Sequence, residues 1–214
     1  MVAVSLKKDG ALIEPVLSLL SPIDRYQMEQ FFIRQGTDIR GRVLEVGDGT
    51  LARKYGREGV GETVVWQVES GGFQNRGTGR HVDPSHFAIE YFDSMILPHA
   101  LHSTQDVRKA VHSLYQALKP GGVLLATFPG ILQTYDPDWG RHWAWTFTPS
   151  SIQRLFEEAF SKGNVVTQAF GNVPAMIAVL NGLPREVLRQ SELDLYEPGY
   201  EVVMTVRAVK PLRS

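Results

Sequence analysis

The sequence predicts an α/β fold on a mostly parallel sheet, and three observations carry that prediction. Short apolar or β-branched runs alternate with helix-spaced segments along the chain. A glycine turn, Gly47-Asp-Gly49, joins the first such run to a helix start, the ligand corner of an open α/β sheet. The last two strands are separated by a helical insertion and not by a full crossover, so the final strand is expected to run antiparallel.

Composition bounds the reading. A chain of 214 residues is long enough to bury a core, and one domain is the expectation. Its 43% hydrophobic and 21% charged residues suit a soluble globular protein. A net charge of -1 gives no electrostatic footprint for nucleic acid or an anionic membrane. The absence of cysteine excludes disulfides, thiolate metal sites and cysteine nucleophiles. Lys7, Lys8 and Asp9 precede any long apolar run, which does not read as a signal peptide, and no run approaches the roughly 18 residues of a membrane span. A cytoplasmic protein is the expectation.

The elements follow in order. Residues 1–20, ending in Val16-Leu-Ser-Leu-Leu20, read as a short helix or a covering arm. Ser21-Pro22 reads as an N-cap with proline at the first helical position, opening a helix to about Gln35. Val43, Leu44 and Val46 form the first strand, and a short helix follows to Tyr55. Thr63–Glu69 alternates and is β-branched, a second strand. Ser70–Gly79 reads as loop, Arg80–Val82 as a small strand, and Phe92–Leu97 as an apolar one. Ala110, Val111, Leu114 and Leu118 keep helical spacing up to Lys119-Pro-Gly-Gly122, and Val123–Phe128 is a buried strand. Thr148-Pro149 starts a helix with the stripe Ile152, Leu155, Phe156, Ala159 and Phe160. Asn164–Phe170 is a strand, Pro174–Leu183 an apolar inserted helix, and Tyr200–Val209 the last strand. That makes seven strands in one domain: residues 1–38 as arm and helix, 39–130 as the cofactor-binding half, and 131–214 as the substrate-side segment with the inserted helix and last strands.

Two ligands fit the glycine turn. Read as G-x-G-x-x-A, Gly47–Ala52 matches the loose dinucleotide fingerprint, with Glu69 as a ribose acid. Read as E-x-G-x-G, Glu45–Gly49 matches a loop that holds S-adenosylmethionine. Asp48 favours the second reading. A carboxylate where a pyrophosphate would lie is repulsive, whereas the sulfonium and ammonium of the methyl donor tolerate acids nearby.

Phe92-Asp-Ser-Met-Ile-Leu97, the helix after it and Leu118-Lys-Pro-Gly-Gly-Val-Leu-Leu125 together resemble class I S-adenosylmethionine-dependent methyltransferases over residues 40–210. The resemblance implies a Rossmann-like, seven-stranded sheet with an antiparallel last strand. Pro22-Ile-Asp-Arg-Tyr26, Ile39–Asp48, Trp139-Gly-Arg-His-Trp143 and Tyr200–Pro211 are similar to one bacterial branch, whose members occur beside or fused to glycosyltransferases. Two departures stand out: Leu51 occupies the place of the loop's usual third glycine, and Ala144 stands where relatives carry a basic residue.

What the resemblance implies about the site can be set out by residue. Gly47, Asp48 and Gly49 form the cofactor loop, and Glu45 orients the methionine end. The ribose hydroxyls fall to Glu69 or, in another register, Gln67, with Val68 before Glu69 favouring the former. Asp83 bonds the adenine amino group, and Leu97, Pro98 and His99 give the backbone corner against which the cofactor packs. Asp24, Arg25 and Tyr26 close over the cofactor. His99 and His102, three residues apart, and His142 in the aromatic segment Tyr135–Phe147 are the candidate bases; their spacing makes no metal site. The expected activity is methyl transfer to a small molecule or sugar hydroxyl, with a glycosyltransferase as possible partner. A non-methylating protein of the same fold is the alternative, and a nicotinamide-dependent oxidoreductase a more distant one.

Overall fold

The computed structural model describes residues 22–69, 72–75, 81–82, 88–130 and 144–213. Helix α1 (Pro22–Arg34) leads into β1 (Gly41–Val46), α2 (Thr50–Tyr55) and β2 (Val60–Glu69). Strands β3 (Gly72–Asn75), β4 (His81–Val82) and β5 (Phe92–Pro98) follow, then α3 (Val107–Ala117) and β6 (Leu118–Pro129). The chain continues through α4 (Pro149–Phe160), β7 (Val165–Phe170), α5 (Val173–Leu180), α6 (Gln190–Asp194) and β8 (Val203–Val209).

The strand order is β4-β3-β2-β1-β5-β6-β8-β7. Strands β2, β1, β5 and β6 pair in parallel, and β8 lies antiparallel between β6 and β7, as the sequence predicts for the last strand. The sheet has eight strands among the described residues, not seven. The extra one is β3, inside the stretch expected to be loop, where residues 66–69 pair antiparallel with 72–75. Lying between β2 and β4, this strand satisfies its backbone through two ladders and needs no apolar alternation, so composition hid it. The expected arm at 1–20 and the Ser21 cap lie outside the described residues.

Each helix seals a face for a legible reason. Asp106 accepts the Lys109 N–H at 3.0 Å to cap α3, whose buried Val107, Ala110, Val111 and Leu114 meet the sheet with Ile152, Phe156 and Phe160 of α4. Thr148 and Ser151 cap α4 reciprocally. On the other face Met28, Phe31 and Phe32 of α1 pack with Leu51, Ala52 and Tyr55 of α2 over Val43, Ile96 and Leu125. Each phenylalanine buried there contributes roughly 1.5–3 kcal/mol. Ile23 at the start of α1 joins Ala175, Ala178, Leu193, Val202 and Val203 in a third cluster beneath the β7–β8 insertion.

The two halves of the sequence signature, Phe92-Asp and Lys119-Pro-Gly-Gly, touch. Lys119 Nζ donates to both Asp93 carboxylate oxygens at 2.8 Å, and the Arg42 N–H donates to Asp93 Oδ2 at 2.8 Å. A Cβ on Gly41 would lie 2.5 Å from that oxygen, so the glycine is required. Burial alone would push the Asp93 carboxyl up, but the Lys119 ammonium and the Arg42 N–H outweigh it and hold it below the usual carboxylate range. This knot lies at the amino ends of β1 and β5, away from the glycine turn. It locks the start of β6, where the register with β5 shifts between Phe92 and Ser94.

Candidate active site

Because β1 pairs with β2 on one side and with β5, much later in the chain, on the other, the sheet has its switch point between β1 and β5. Ligands of open α/β sheets bind at the carboxyl ends of such strands. The turn Gly47–Gly49 and the corner Leu97–His99 both lie there.

Glu45, the penultimate residue of β1, is buried and spent on the start of α2. Its Oε1 accepts the N–H groups of Gly49 at 3.0 Å and Leu51 at 3.2 Å, and its Oε2 accepts Ala52 at 2.7 Å. Asp48 Oδ1 accepts the Thr50 N–H at 2.9 Å, and the Gly47 N–H donates to the Trp66 carbonyl at 2.6 Å. Burial pushes the Glu45 carboxyl up and the Asp48 charge adds to it, against the pull of the three N–H donors. Gly49 holds φ at 81°, where a Cβ would also press within 3.0 Å of Val65. Leu51 is buried in the core against α1, which accounts for its standing in place of a third glycine.

The donors that a pyrophosphate would need at this helix start are therefore occupied by two carboxylates. That arrangement is hostile to a dinucleotide. It suits a ligand that brings positive charge and no phosphate, because a buried acid and a half-exposed one stand behind a turn that a ligand can approach closely.

On the other side of the switch point, Leu97 and Pro98 pair with Ala126 and Thr127 at the end of β5. His99 then takes a left-handed backbone conformation, φ 43°, and its N–H donates to the Thr127 carbonyl at 3.0 Å and hydroxyl at 3.1 Å. The residue is 5% exposed, and neither ring nitrogen has a hydrogen-bond partner among the described residues. Burial, helped by His102, drives the His99 pKa down to about 3; burial alone takes His102 to about 4. Both rings are neutral at physiological pH. The His102 carbonyl accepts the Ala144 and Trp145 N–H groups at 2.9 and 3.1 Å, and the Trp145 indole donates to the Thr104 carbonyl at 2.7 Å. The far end of the aromatic segment is thereby tied to the turn that carries the histidines.

The other expected residues fall differently. Tyr26 of α1 turns to the β7–β8 insertion: its hydroxyl donates to Asp194 at 3.0 Å and accepts from Gln190, and the Arg185 guanidinium lies 5.2 Å from its ring centroid. Asp24 is buried and Arg25 exposed in the same turn of α1. The β1–β2 ladder ends at Val46–Trp66, so Gln67 is the first β2 residue beyond it and Glu69 the last of the strand. Asp83 and His142 lie outside the described residues. Thr127, which fixes the His99 backbone, was not foreseen; its signal is a lone hydroxyl in the apolar run Val123–Phe128. No group of three or more metal-ligating side chains occurs among the described residues.

A doubly wound sheet with an acid-backed glycine turn at its switch point defines a cofactor-binding α/β protein. The methyltransferase-domain family matches residues 20–162, more than half of the chain, and the chain belongs to that family. The nicotinamide alternative is thereby corrected. No curated protein matches the sequence. Among solved structures, the chain is similar to the Haemonchus contortus phosphoethanolamine N-methyltransferase 2 in complex with phosphomonomethylethanolamine and S-adenosylhomocysteine. That likeness has 14% identity, a TM-score of 0.52, and coverage of 88% of this chain and 57% of that one. A Haloferax volcanii protein in complex with the Trm112 methyltransferase activator gives 12% identity and a TM-score of 0.52, covering 94% and 100%. The cyclase SpnF gives 15% identity and 0.51, covering 89% and 81%. At such identities these likenesses bear on fold alone.

Proposed function

We propose that the chain is an S-adenosylmethionine-dependent methyltransferase whose acceptor is a hydroxyl of a small molecule or sugar. The observation that carries the cofactor is the acid-backed turn: Glu45 and Asp48 consume the N–H donors a phosphate would use and leave a corner suited to a cationic ligand. When bound, that cofactor supplies an electrophilic methyl group on a sulfonium. The protein's own task is to align the acceptor with it and to exclude water. In this reading Gly47 and Gly49 let the ligand approach the backbone, and the acid at the end of β2 holds its ribose. Asp83 meets the adenine, Arg25 lies at the rim, and Leu97 and Pro98 form the wall.

In the same reading His99 meets the acceptor, with His102 and His142 as further candidates. A neutral imidazole offers a lone pair to an O–H. The burial that keeps His99 neutral also weakens it as a proton sink. Its part is to orient the hydroxyl and to take the proton late, as the new bond forms.

A second reading keeps the cofactor without the transfer, as in a partner of a glycosyltransferase. The register that brings Gln67 next to the glycine turn favours it, since an amide offers the ribose one acceptor oxygen where a carboxylate offers two. Calorimetry with S-adenosylmethionine and with S-adenosylhomocysteine tests the cofactor; heat from neither would overturn both readings. Incubation with the cofactor and a panel of sugars and small alcohols, read by mass spectrometry for the gain of one CH₂, separates transfer from binding alone.

A further inference from the structure

Helix α5, Val-Pro-Ala-Met-Ile-Ala-Val-Leu, is apolar at every position. A helix of that kind is ordinarily buried all round. Here only one face is: Ala175 and Ala178 pack on Ile23, Leu193, Val202 and Val203. Among the described residues nothing covers the opposite face, where Ile177 is 54% and Leu180 60% exposed, and the exposed apolar line continues through Leu183 and Val187. Tyr196 is brought beside the start of α5 by its bridge to Gly171 and by the Glu197 carboxylate, which accepts the Val173 N–H at 3.3 Å.

This surface is held rigidly. The Asn172 amide donates to the Glu192 carbonyl at 2.6 Å and the Leu195 carbonyl at 2.8 Å, while its oxygen caps α5 through Ala175. Gln27 of α1 donates to the Leu193 carbonyl, and Tyr26 and Gln190 hold Asp194. The ridge is preorganised and lacks the loose anchoring of a lid.

Its chemistry points to an occupant. Residues 171–202 carry five acids, two arginines and no lysine. One of the arginines, Arg185, is already engaged with Tyr26 and with Glu186 at 3.8 Å. An apolar centre with tyrosine at its edge resembles the core of a protein interface, and the acids belong to its charged surroundings. The net negative charge of this segment would repel a second copy of itself and an anionic membrane, and complements a basic surface. We propose that the β7–β8 insertion is a docking surface for a partner protein that presents an apolar helix face flanked by lysine and arginine. The proposal does not depend on the methyl-transfer reading.

The test uses the full chain and two synthetic amphipathic helices that share a leucine stripe, one flanked by lysines and the other by glutamates, with binding read by fluorescence anisotropy. The lysine-flanked helix is expected to bind at least about tenfold more tightly, with the gap narrowing as salt rises. Ile177→Asp with Leu180→Asp should abolish that binding while leaving the thermal melt and cofactor calorimetry unchanged. Glu186→Lys, which leaves the ridge intact, should reverse part of the preference. Equal affinity for the two helices, or none for either, overturns the proposal. So does a dimer in light scattering that Ile177→Asp dissolves, or flotation with phosphatidylcholine vesicles that the same change prevents.

Discussion

The Glu45 carboxylate reaches forward four residues to take the Gly49 N–H at 3.0 Å, and with the same side chain it holds Leu51 and Ala52. One acid thus fixes both the glycine turn and the first turn of α2. Glu45→Ala would leave three buried N–H groups without an acceptor, each a loss on the order of 1–3 kcal/mol before relaxation. The expected result is a clear drop in the urea midpoint, larger than for Glu45→Gln, which keeps one carbonyl oxygen. Equal midpoints for the two variants would show that the carboxylate does not organise the turn.

Gly49→Ala should act on the same turn by a different route. Its φ of 81° costs a non-glycine residue on the order of 1 kcal/mol, and the added methyl presses on Val65. Both stability and S-adenosylhomocysteine affinity should fall. A variant with wild-type affinity would place the ligand away from this turn.

The buried histidines set a pH dependence with a definite sign. A histidine whose folded pKa lies below its unfolded value resists protonation only while folded. Stability therefore falls as pH drops from about 6.5 toward the folded values near 4 and 3, by about 1.4 kcal/mol per unit for each ring. Asparagine tolerates the left-handed backbone at position 99. Denaturant melts from pH 7 to 4.5 should show a shallower loss for His99→Asn, and parallel curves would mean that the ring is not buried in solution.

Asp93 gives the opposite kind of limb. Its carboxyl is held low by Lys119 and Arg42 against the effect of burial, so its contribution is whole above the ordinary carboxylate pKa and is lost as pH falls through the folded value. Asp93→Asn should be less stable than wild type at neutral pH, with the difference closing below about pH 4. Because the knot lies at the opposite ends of β1 and β5 from the glycine turn, cofactor calorimetry should change little.

Much of the fold was legible because periodicity and caps agree with tertiary packing: the α4 stripe, the Thr148-Pro149 start, the antiparallel last strand and the α3 stripe appear where the residues place them, except that Leu118, expected on α3, opens β6. The β3 hairpin was illegible because its pairing is made by backbone groups, which leave no mark in side-chain type. The glycine turn and the Leu97–His99 corner were readable, since glycine spacing and the end of an apolar run are local signals. The fate of Tyr26 was not, because its partners Asp194 and Gln190 lie more than 160 residues away. The Phe92-Asp and Lys119-Pro-Gly-Gly motifs marked the family correctly and proved to hold the sheet together at the end away from the glycine turn.

Strand β8 follows both of its neighbours in the sequence and yet lies between them. During synthesis β6 and β7 emerge without a shared border, and β6 presents an unpaired apolar edge until residues 203–209 arrive. The sheet is therefore completed in one late insertion that closes two ladders at once. Slow translation or early release before that point would leave a nascent chain prone to edge-to-edge association, whereas the half around β1, β2 and β5 could already be formed.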